Sequence, residues 1–432
     1  MDQFNPGQQI KTKFASVTIK KHLTEGGQGH VYLVQYNDGK NEEKILKWYK
    51  DGAIKDLNKF YDHLNDLLYK GAPADNFMWP IDIAEITNGS LGYVMNIIPG
   101  DYKELNDFTL AKVQFTSFKG AVQACLEIVN SYRLLHNKGF CYQDMNGGNF
   151  FIHPGTGHVL ICDNDNVAPN NTNTTILGTP GYMAPEVVLG KGKPNTQTDR
   201  FSMAVILFII LCMNHPLEGK RWTVPCLTPD LERILYGSDP LFIYDPENRD
   251  NAPVKNVHTN VMKRWDYLPD YMKDIFIQAF SHDALMNPGI RVREVAFQKA
   301  LVRFQSDIVR CPQCNNEIFV QNASATKCDG CGKMYPVSTK IKLPEYNITA
   351  APKTMIYRCQ LVPSCNADEE LDRIGMVVQN TKTRQLGIRN VSNQTIEGVS
   401  RSGAKKPVSP GEVVPLLPGI KLIAYEKTIE IM

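Results

Sequence analysis

The sequence predicts an α+β fold, in which a strand-rich start and a helical middle are followed by a compact cysteine module and a β-rich end. Alternating apolar residues around a glycine-rich turn predict short strands over residues 15–50. Helical patterns dominate from about residue 184 to 305, and the composition changes at Cys311, after which short β-like runs are separated by Gly, Pro and Asn. Strands and helices in separate blocks are typical of α+β proteins.

Three further patterns predict the sequence of strands and helices between these blocks. Residues 53–70 carry apolar side chains at helical spacing, residues 91–98 form a strand, and residues 112–136 are again helical. The apolar run at residues 203–213 has about two-thirds of the length that a bilayer-spanning helix needs. We therefore predict a buried helix there and no membrane partner.

Composition narrows the class of protein. The 432 residues are enough for about two to four domains, and 43% hydrophobic with 21% charged residues is ordinary for a soluble globular protein. The net charge of +2 gives no reason to expect a nucleic-acid partner. The start, MDQFNPGQQIKTKF, lacks the apolar core of a secretory signal, and the cysteines number 11, which is odd. We therefore expect a cytoplasmic protein without a disulfide framework.

Two features near the start suit a phosphate group. Gly26, Gly27 and Gly29 lie between two predicted strands, where a backbone without side chains can approach phosphate oxygens. An ordinary β-turn would look the same. Lys47 follows Gly29 by 18 residues on an otherwise apolar strand and is a candidate phosphate contact. Taken alone, Lys47 is better explained as a strand lysine that extends to solvent.

A polar loop at residues 142–149 contains Asp144 and Asn149, five residues apart, and Asp163 follows 14 residues later at the end of a β-like run. Phosphoryl transfer needs a phosphate cradle, a cation, metal ligands and a group that orients the acceptor hydroxyl. Asp144 suits the last of these tasks. Asn149 and Asp163 offer the oxygen ligands that Mg²⁺ prefers.

The string Gly178-Thr-Pro-Gly-Tyr-Met-Ala-Pro-Glu186 completes an ordered set that resembles the protein kinase signature over roughly residues 15–305. The resemblance implies a bilobal protein kinase fold, with an N-terminal lobe at residues 1–95 and a C-terminal lobe at residues 96–305. It implies a serine/threonine kinase that uses ATP with Mg²⁺ or Mn²⁺ to phosphorylate protein substrates and itself.

The same resemblance implies a role for individual residues. Lys47 would contact the α- and β-phosphates, Asp144 would be the catalytic base, and Asp163 would hold Mg²⁺ together with Asn149. Asp199 would hold the backbone of the catalytic loop. The nucleotide contacts that it implies are Gly26, Gly27, Gly29, Val31, Lys47, the gatekeeper Met95, the hinge residues Asn96 and Ile97, Asn149 and Asp163, and a structural ion pair would join Glu186 to Arg291.

The sequence departs from the kinase pattern in the N-terminal lobe. Thr24 replaces the first glycine of the loop, and no Glu follows Lys47 until Glu85, so the usual lysine–glutamate pair lacks its helix partner. Asp66 lies on the predicted helix, 19 residues after Lys47. Asp66 either replaces the missing Glu with a shorter reach or is a solvated helix residue.

The catalytic loop and the metal-binding segment depart from it as well. Gln143 replaces the Arg that would bind a phosphorylated activation loop, and Asn146 replaces a lysine that contacts the γ-phosphate. Asp-Phe-Gly has become Asp163-Asn164-Asp165, in which Asp165 either adds a second carboxylate to the metals or merely tolerates the turn. Any autophosphorylation is expected in the Asn- and Thr-rich stretch that follows, at Thr172, Thr174 or Thr175.

Four cysteines form the second strong signal. Cys311-x-x-Cys314 is followed after 13 residues by Cys328-x-x-Cys331, a spacing that can close a tetrahedral thiolate site. Residues 306–340 therefore resemble a zinc ribbon. Four thiolates leave no open position, so the predicted Zn²⁺ is structural, and too few lysines lie between the cysteines for a nucleic-acid surface.

Residues 341–432 are predicted to form a small all-β, sandwich-like domain, because short β-like runs alternate with turn residues. The spacing of these β-like runs vaguely resembles that of the small β-sandwich in forkhead-associated domains. The last histidine of the chain is His282, so the Ser-x-x-His element of phosphothreonine-binding members is absent. A role in packing or partner binding fits better, and Cys359 and Cys365 are better explained as unrelated thiols than as a metal or redox pair.

The whole arrangement is similar to bacterial Hanks-type kinases with a C-terminal zinc ribbon. Some of these belong to a tellurium-resistance-associated triad with a von Willebrand factor A protein and a metal-dependent protein phosphatase, and Trp-Pro-Ile-Asp at residues 79–82 and Cys-Asp-Asn-Asp-Asn at 162–166 resemble that group. Two alternatives to an active signalling kinase stay open. One is a pseudokinase that binds nucleotide as a scaffold, and the other is an adaptor acting through the ribbon and the β-rich domain.

Overall fold

The computed structural model describes residues 4–87, 89–172, 176, 178–320, 325–336 and 339–432. Its N-terminal part is an antiparallel sheet with the strand order β1-β2-β3-β4-β6-β5. The register places Val31 and Tyr93 on either side of Lys47. The six strands are β1 (Gln9–Lys11), β2 (Ser16–Glu25), β3 (Gly29–Tyr36), β4 (Glu43–Tyr49), β5 (Asp82–Ile83) and β6 (Gly92–Met95).

The two faces of this sheet are apolar and pack against different partners. Side chains alternate between faces along a strand, and on β4 Leu46 and Trp48 join a cluster confined to the N-terminal part. Ile45 and Tyr49 belong instead to the main core, which continues into the helical part of the chain. Lys47 lies between Ile45 and Tyr49 in this alternation, so it shares the face that meets the rest of the protein.

One helix, α1 (Leu57–Lys70), packs beside the sheet. Its N-terminus is capped by Asp56, whose carboxylate accepts a hydrogen bond from the backbone N–H of Lys59 at 3.0 Å. Leu64 and Leu67 are fully buried. The helix ends at Gly71, which has a φ of 68°, a conformation that glycine adopts without strain.

A helical part follows, and α10 packs along α3 at its centre. No helix among the described residues combines the length and apolar character that a membrane span requires. The helices are α2 (Leu105–Thr109), α3 (Phe118–Asn137), α4 (Pro185–Val188), α5 (Thr196–Cys212), α6 (Pro229–Arg233), α7 (Thr259–Tyr267), α8 (Asp270–Ala279), α9 (His282–Met286) and α10 (Glu294–Asp307); the short strands are β7 (Lys103–Glu104), β8 (Phe140–Cys141), β9 (Phe150–Ile152), β10 (Val159–Ile161) and β11 (Ala168–Pro169).

The predicted buried helix is confirmed in α5. Every residue from Phe201 to Cys212 is buried. The helix begins at a capping box, in which the Asn195 side chain accepts from the backbone of Thr198 and the Thr198 hydroxyl accepts from the backbone of Asn195. A helix that is apolar on all sides needs protein around it on all sides, and α5 therefore forms the centre of this part.

Short strands position the polar loops of the helical part. β8 ends at Cys141, directly before the loop at residues 142–149, and β9 begins at Phe150, directly after it. β10 pairs with β9 and ends two residues before Asp163. The strand pairing therefore brings both polar segments to one edge of the helical part.

After α10 the chain is β-rich. The sandwich-like part has two antiparallel sheets, in the orders β17-β16-β25-β24-β21-β22 and β18-β19-β20-β23, and side chains from both sheets share one core. The strands are β12 (Ile308–Arg310), β13 (Glu317–Phe319), β14 (Ala325–Lys327), β15 (Met334–Pro336), β16 (Lys340–Lys342), β17 (Asn347–Thr349), β18 (Met355–Tyr357), β19 (Arg373–Gln379), β20 (Leu386–Asn390), β21 (Ile396–Val399), β22 (Lys405–Val408), β23 (Val413–Pro415), β24 (Lys421–Ala424) and β25 (Lys427–Ile431).

The β-rich end is fastened to the helical part through two acidic side chains. Glu317 of β13 accepts hydrogen bonds from the first two backbone N–H groups of α3, at 2.6 and 3.1 Å. Glu370 is 1% exposed and accepts from Arg133 of α3 at 2.5 Å and from Gln298 of α10 at 2.7 Å. A carboxylate is stabilised at a helix N-terminus, and a buried carboxylate needs a cation and further donors. The four-cysteine segment and the β-rich end thus pack onto α3 and α10.

We predict that Glu370→Gln destabilises the protein by about 3 kcal/mol, because it leaves the partly buried Arg133 without its anion. Glu345→Gln is the matched control, since Glu345 is half exposed and its ion pair with Lys299 is long, at 3.9 Å. An exposed pair of this kind is worth less than about 1 kcal/mol. Urea unfolding of the full chain measures both values, and equal costs for the two variants would contradict the anchoring role of Glu370.

Candidate active site

Lys47 lies at the centre of a cluster of charges between the sheet and the helical part. Its Nζ donates to Oδ1 of Asp163 at 3.0 Å and to Oδ1 of Asp165 at 3.0 Å. Burial alone would lower the pKa of Lys47, but the two carboxylates raise it above its ordinary value. The ammonium is therefore charged and held in place at neutral pH, as a phosphate-binding cation must be.

The glycine turn between β2 and β3 is closed by a hydrogen bond from the backbone N–H of Gly26 to the carbonyl of Gly29 at 2.8 Å. Gly29 is required by packing, since a Cβ there would lie 2.4 Å from the carbonyl oxygen of Trp48. A Cβ at Gly27 would meet nothing within 4 Å. Packing within the chain therefore leaves open backbone at the tip of the turn, which is what a phosphate cradle needs.

The catalytic-loop candidate Asp144 is fixed from two directions. Thr179, in the Gly178–Glu186 string, donates its hydroxyl to Oδ1 of Asp144 at 2.7 Å. Asn149 donates its amide nitrogen to the backbone carbonyl of Asp144 at 2.9 Å, so its amide oxygen is left as a ligand atom. Asn146 is a weaker neighbour, with its amide nitrogen 3.5 Å from Oδ1 of Asp144.

A buried network behind the loop holds its backbone. Asp199 of α5 accepts from the backbone N–H groups of Tyr142 at 2.7 Å and Gln143 at 3.2 Å. His136 lies between Asp199, at 3.0 Å, and Glu294, at 2.7 Å. Burial alone would lower the pKa of His136, but its hydrogen bonds to the two carboxylates raise it to about 9. Burial alone would raise the pKa of Glu294, but His136 and Arg200 lower it to about 2.

This network predicts a pH dependence of stability. The pKa of His136 rises from 6.5 to about 9 on folding, so its contribution is fully present below pH 6.5 and is lost as the pH rises through 9. That contribution is at most about 3 kcal/mol. We expect His136→Gln to remove most of the fall in unfolding free energy between pH 6.5 and 9, measured by urea titration. The same slope in variant and wild type would contradict the prediction.

Asp163 and Asp165 lie two residues apart and face different surroundings. Asp163 has a left-handed backbone with a φ of 51°, and 43% of its side chain is exposed. Its Oδ1 is used by Lys47, which leaves Oδ2 for a metal ion. The Asp165 side chain is only 2% exposed and accepts from Lys47 and from the hydroxyls of Tyr93, at 2.8 Å, and Tyr49. Burial alone would raise the pKa of Asp165, but Lys47 and the tyrosine bonds lower it.

The surroundings of two acidic residues bear on alternatives that the sequence left open. Asp165 does not face the open side where metals would bind, because the buried donors of the sheet hold its carboxylate. Asp66 does not replace the missing helix Glu, because it is nearly half exposed and pairs with Lys70 one turn along α1 at 2.7 Å. From α1, His63 places its Nε2 3.0 Å from the backbone carbonyl of Asp165, and the Phe60 ring packs edge-on against Tyr49.

The hinge candidates lie where β6 leaves the sheet. Met95 is opposite Ile45 in the register and is buried. Asn96 is exposed, and its side-chain oxygen accepts from Lys44 at 3.0 Å. Ile97 is exposed as well. This segment borders the same face of the sheet as Lys47, as an adenine-contacting hinge would.

The remaining candidates lie in the helical part. Arg291 forms a two-bond ion pair with Glu186, at 2.8 and 2.6 Å, which fixes the Ala-Pro-Glu string to the segment before α10. Gln143 is buried and its amide contacts the Cys141 thiol rather than solvent. Thr172 is exposed, with its hydroxyl bonded to the carbonyl of Pro169, whereas Thr174 and Thr175 lie outside the described residues.

The four cysteines meet at one point after α10. Their sulfur atoms all lie within 4.8 Å of one another, with 3.8 Å between Cys311 and Cys331 and 3.5 Å between Cys314 and Cys328. A tetrahedral zinc with bonds of about 2.3 Å separates its sulfurs by about 3.8 Å, so the set fits this ion. Backbone N–H groups of Cys314 and Gln313 lower the pKa of Cys311 to about 6. The backbone of Asn316 alone would lower the pKa of Cys314, but burial and the neighbouring cysteines raise it to about 12. Cys311 is therefore the thiol of this pair that is the more readily deprotonated for zinc.

We expect elemental analysis to find about one zinc per chain, held by this cluster. Cys328→Ser should release the metal and make the ribbon sensitive to protease, because metal binding and folding are coupled in such modules. Cys226→Ser, which removes an exposed cysteine elsewhere, is the control and should retain the metal. Full zinc retention in Cys328→Ser would show that the assignment is wrong.

Two residues of the site, Tyr49 and Tyr93, were not predicted from the sequence. A signal was present for both. Tyr49 follows Lys47 by two positions on β4 and therefore shares its face of the sheet, and Tyr93 lies directly opposite Lys47 on β6. Hydrogen bonds from their hydroxyls to Asp165 were not expected, because the position of Asp165 depends on the turn that follows β10.

Comparison with known proteins gives a match to one family in the first part of the chain. The protein kinase domain family model matches residues 17–226. Similar curated proteins include protein kinase C delta type of Rattus norvegicus, 26% identical over 214 residues that make up 48% of this chain and 31% of the relative. The probable serine/threonine-protein kinase fhkE of Dictyostelium discoideum is 23% identical over 246 residues, 50% of this chain and 34% of the relative.

A third relative is the maternal embryonic leucine zipper kinase of Xenopus tropicalis, 24% identical over 212 residues, which make up 48% of this chain and 29% of the relative. The chain therefore spans about a third of the length of these curated relatives. Residues 17–226 are thus similar to protein kinase domains, and the curated proteins that resemble this part of the chain are kinases by name. The four-cysteine cluster and the β-rich end lie outside the part that the family model covers.

Proposed function

We propose that this protein transfers the γ-phosphoryl group of ATP to Ser and Thr hydroxyls of protein substrates, including its own chain. The observation that carries the proposal is the placement of Asp144. Its carboxylate accepts a hydrogen bond from the Thr179 hydroxyl at 2.7 Å, and its backbone carbonyl accepts one from Asn149, a proposed metal ligand, at 2.9 Å. A fixed base next to a metal ligand is the arrangement that phosphoryl transfer to a hydroxyl requires.

The nucleotide would lie between the sheet and the helical part. Lys47 donates to the α- and β-phosphates, the open backbone at Gly26 and Gly27 covers them, and Asn96 and Ile97 border the adenine. Mg²⁺ or Mn²⁺, when bound, neutralises charge on the β- and γ-phosphate oxygens. The atoms left to hold it are Oδ2 of Asp163 and the amide oxygen of Asn149.

In the transfer step the acceptor hydroxyl oxygen forms a bond to the γ-phosphorus while the bond from that phosphorus to the β,γ-bridging oxygen breaks. ADP leaves, and Asp144 orients the hydroxyl and accepts its proton. Thr179 and Asn149 keep the Asp144 carboxylate and its backbone in place. The loop as a whole is positioned from behind by Asp199.

The finer assignment is also a proposal. We place the protein in cytoplasmic bacterial signalling, with a structural zinc in the ribbon and with a metal-dependent phosphatase and a von Willebrand factor A protein as partners. The bacterial context and the two partners are supported by the sequence resemblance alone, whereas the zinc is supported also by the four cysteine sulfur atoms, which lie within 4.8 Å of one another. In the structure, the Trp-Pro-Ile-Asp stretch has a bracing role, since the indole of Trp79 donates to the carbonyl of Leu67 and Asp82 accepts from Thr12 and Tyr36.

The first test removes the charge of the proposed base. Asp144→Asn should lower phosphotransfer to an exogenous Ser/Thr protein by about 10² to 10⁴, the usual worth of a positioned acid–base group. Binding of Mg-ATP should stay nearly unchanged, because Asp144 does not contact the nucleotide. Transfer is followed with radiolabelled ATP and binding by thermal shift. An Asp144→Asn variant as active as wild type would refute the proposal, and no wild-type transfer would favour the nucleotide-binding scaffold.

The second test separates the metal ligand from the base. Asp163→Asn should abolish the metal-dependent part of the ATP-induced thermal shift, because the Oδ2 ligand is lost together with its charge. Asp144→Asn serves as the control and should keep that shift. Identical, metal-independent shifts in wild type and Asp163→Asn would contradict the proposed role of Asp163.

A further inference from the structure

We propose that Asp165 positions Lys47, the phosphate-binding lysine. In the usual kinase pattern a helix glutamate pairs with this lysine, and here Asp165 pairs with it from the turn after β10. Tyr49 and Tyr93 form part of the same device, because they hold the Asp165 carboxylate from the sheet. This inference rests on the proposed function, since it assigns a role within the same site.

The bonding of the carboxylate separates this role from that of a metal ligand. A carboxylate has about four acceptor sites on its two oxygens. Oδ1 of Asp165 accepts from Lys47 at 3.0 Å and from Tyr93 at 2.8 Å. Oδ2 accepts from Lys47 at 3.2 Å and from Tyr49. All four sites are thus used by protein donors, so Asp165 has none left for Mg²⁺, whereas Asp163 keeps a free oxygen.

Helix α1, all of whose residues the structure describes, supplies no carboxylate to Lys47. Asp62 is exposed, and Asp66 is paired with Lys70. His63 is partly buried, and its ring Nε2 lies 3.0 Å from the backbone carbonyl of Asp165. The acid that the sequence lacks on the helix is therefore present on the segment that also carries the metal-binding Asp163.

This transfer of the acid from helix to turn has a consequence for regulation. Where a helix carries the partner of the lysine, movement of the helix breaks the pair. Here both carboxylates on Lys47 lie within three consecutive residues, and Asn164 is fully buried and bonded to the carbonyl of Ile161. The carboxylates that orient Lys47 therefore belong to one short turn held by two strands of the sheet, and α1 contacts that turn through His63 instead of supplying the acid itself.

The test is a double-mutant cycle on the full chain with Tyr93→Phe, Asp165→Asn and the double variant. We measure kcat and KM for ATP with dephosphorylated casein as acceptor, Mg-ATP affinity by calorimetry, and the melting temperature. Tyr36→Phe is the matched control, because the Tyr36 hydroxyl donates to the buried Asp82 at 2.8 Å in the same sheet but away from Lys47. It should lower the melting temperature and leave kcat/KM unchanged.

We expect Tyr93→Phe to lower kcat/KM by about 10-fold, the worth of one hydrogen bond to a charged group, and Asp165→Asn to lower it by about 100-fold, as loss of a fixed electrostatic contact does. The double variant should match Asp165→Asn, because the tyrosine acts through the carboxylate. The dependence of activity on Mg²⁺ concentration should not change in any variant.

Three results would overturn the inference: kcat/KM of folded Asp165→Asn within about twofold of wild type, full recovery of its activity at high Mg²⁺, or additive effects of the two substitutions. If Asp165→Asn does not fold, the test is the comparison of kcat/KM between Tyr93→Phe and the control Tyr36→Phe. An inactive wild type would count against the proposed function instead. In that case the role of Asp165 is tested by the affinity for Mg-ATP. This affinity should be weaker in Tyr93→Phe than in Tyr36→Phe, and equal affinities would overturn the inference.

Discussion

The candidate site depends on one interaction, the buried contact of Lys47 with Asp165 and Asp163. A buried ammonium is stable only beside compensating charge, and the two carboxylates supply it at 3.0 Å each. That requirement fixes the turn after β10 against the sheet. It also leaves Oδ2 of Asp163 as the proposed metal ligand, while both oxygens of Asp165 accept hydrogen bonds from protein donors.

A second buried network carries the other half of the site. Asp199 holds the backbone of the catalytic loop, and His136 ties Asp199 to Glu294 at the start of α10. The same helices, α3 and α10, carry the contacts with Glu317 and Glu370 of the β-rich end. The β-rich end therefore packs on the same two helices that lie behind the loop.

Much of this could be predicted from the sequence, because the relevant signals are local. The spacing of Asp144, Asn149 and Asp163 pointed to a site of oxygen ligands, α5 followed from its apolar run, and the Cys-x-x-Cys pairs pointed to the cluster that the structure brings together. The role of Asp165 could not be predicted. Its carboxylate turns into the sheet because Tyr49, Tyr93 and Lys47 converge there, and such convergence of three segments has no sequence period. Asp66 had a suitable spacing, but it lies on the wrong face of α1.

The most direct measurement is a crystal structure of the full chain with Mg²⁺ and a non-hydrolysable ATP analogue. The account predicts that Lys47 keeps a contact of about 3 Å with Asp165 while it binds the α- and β-phosphates, and that the metal lies on Asp163 and Asn149. A structure with Asp165 on the metal, or with Lys47 paired to an acidic residue of α1, would contradict it.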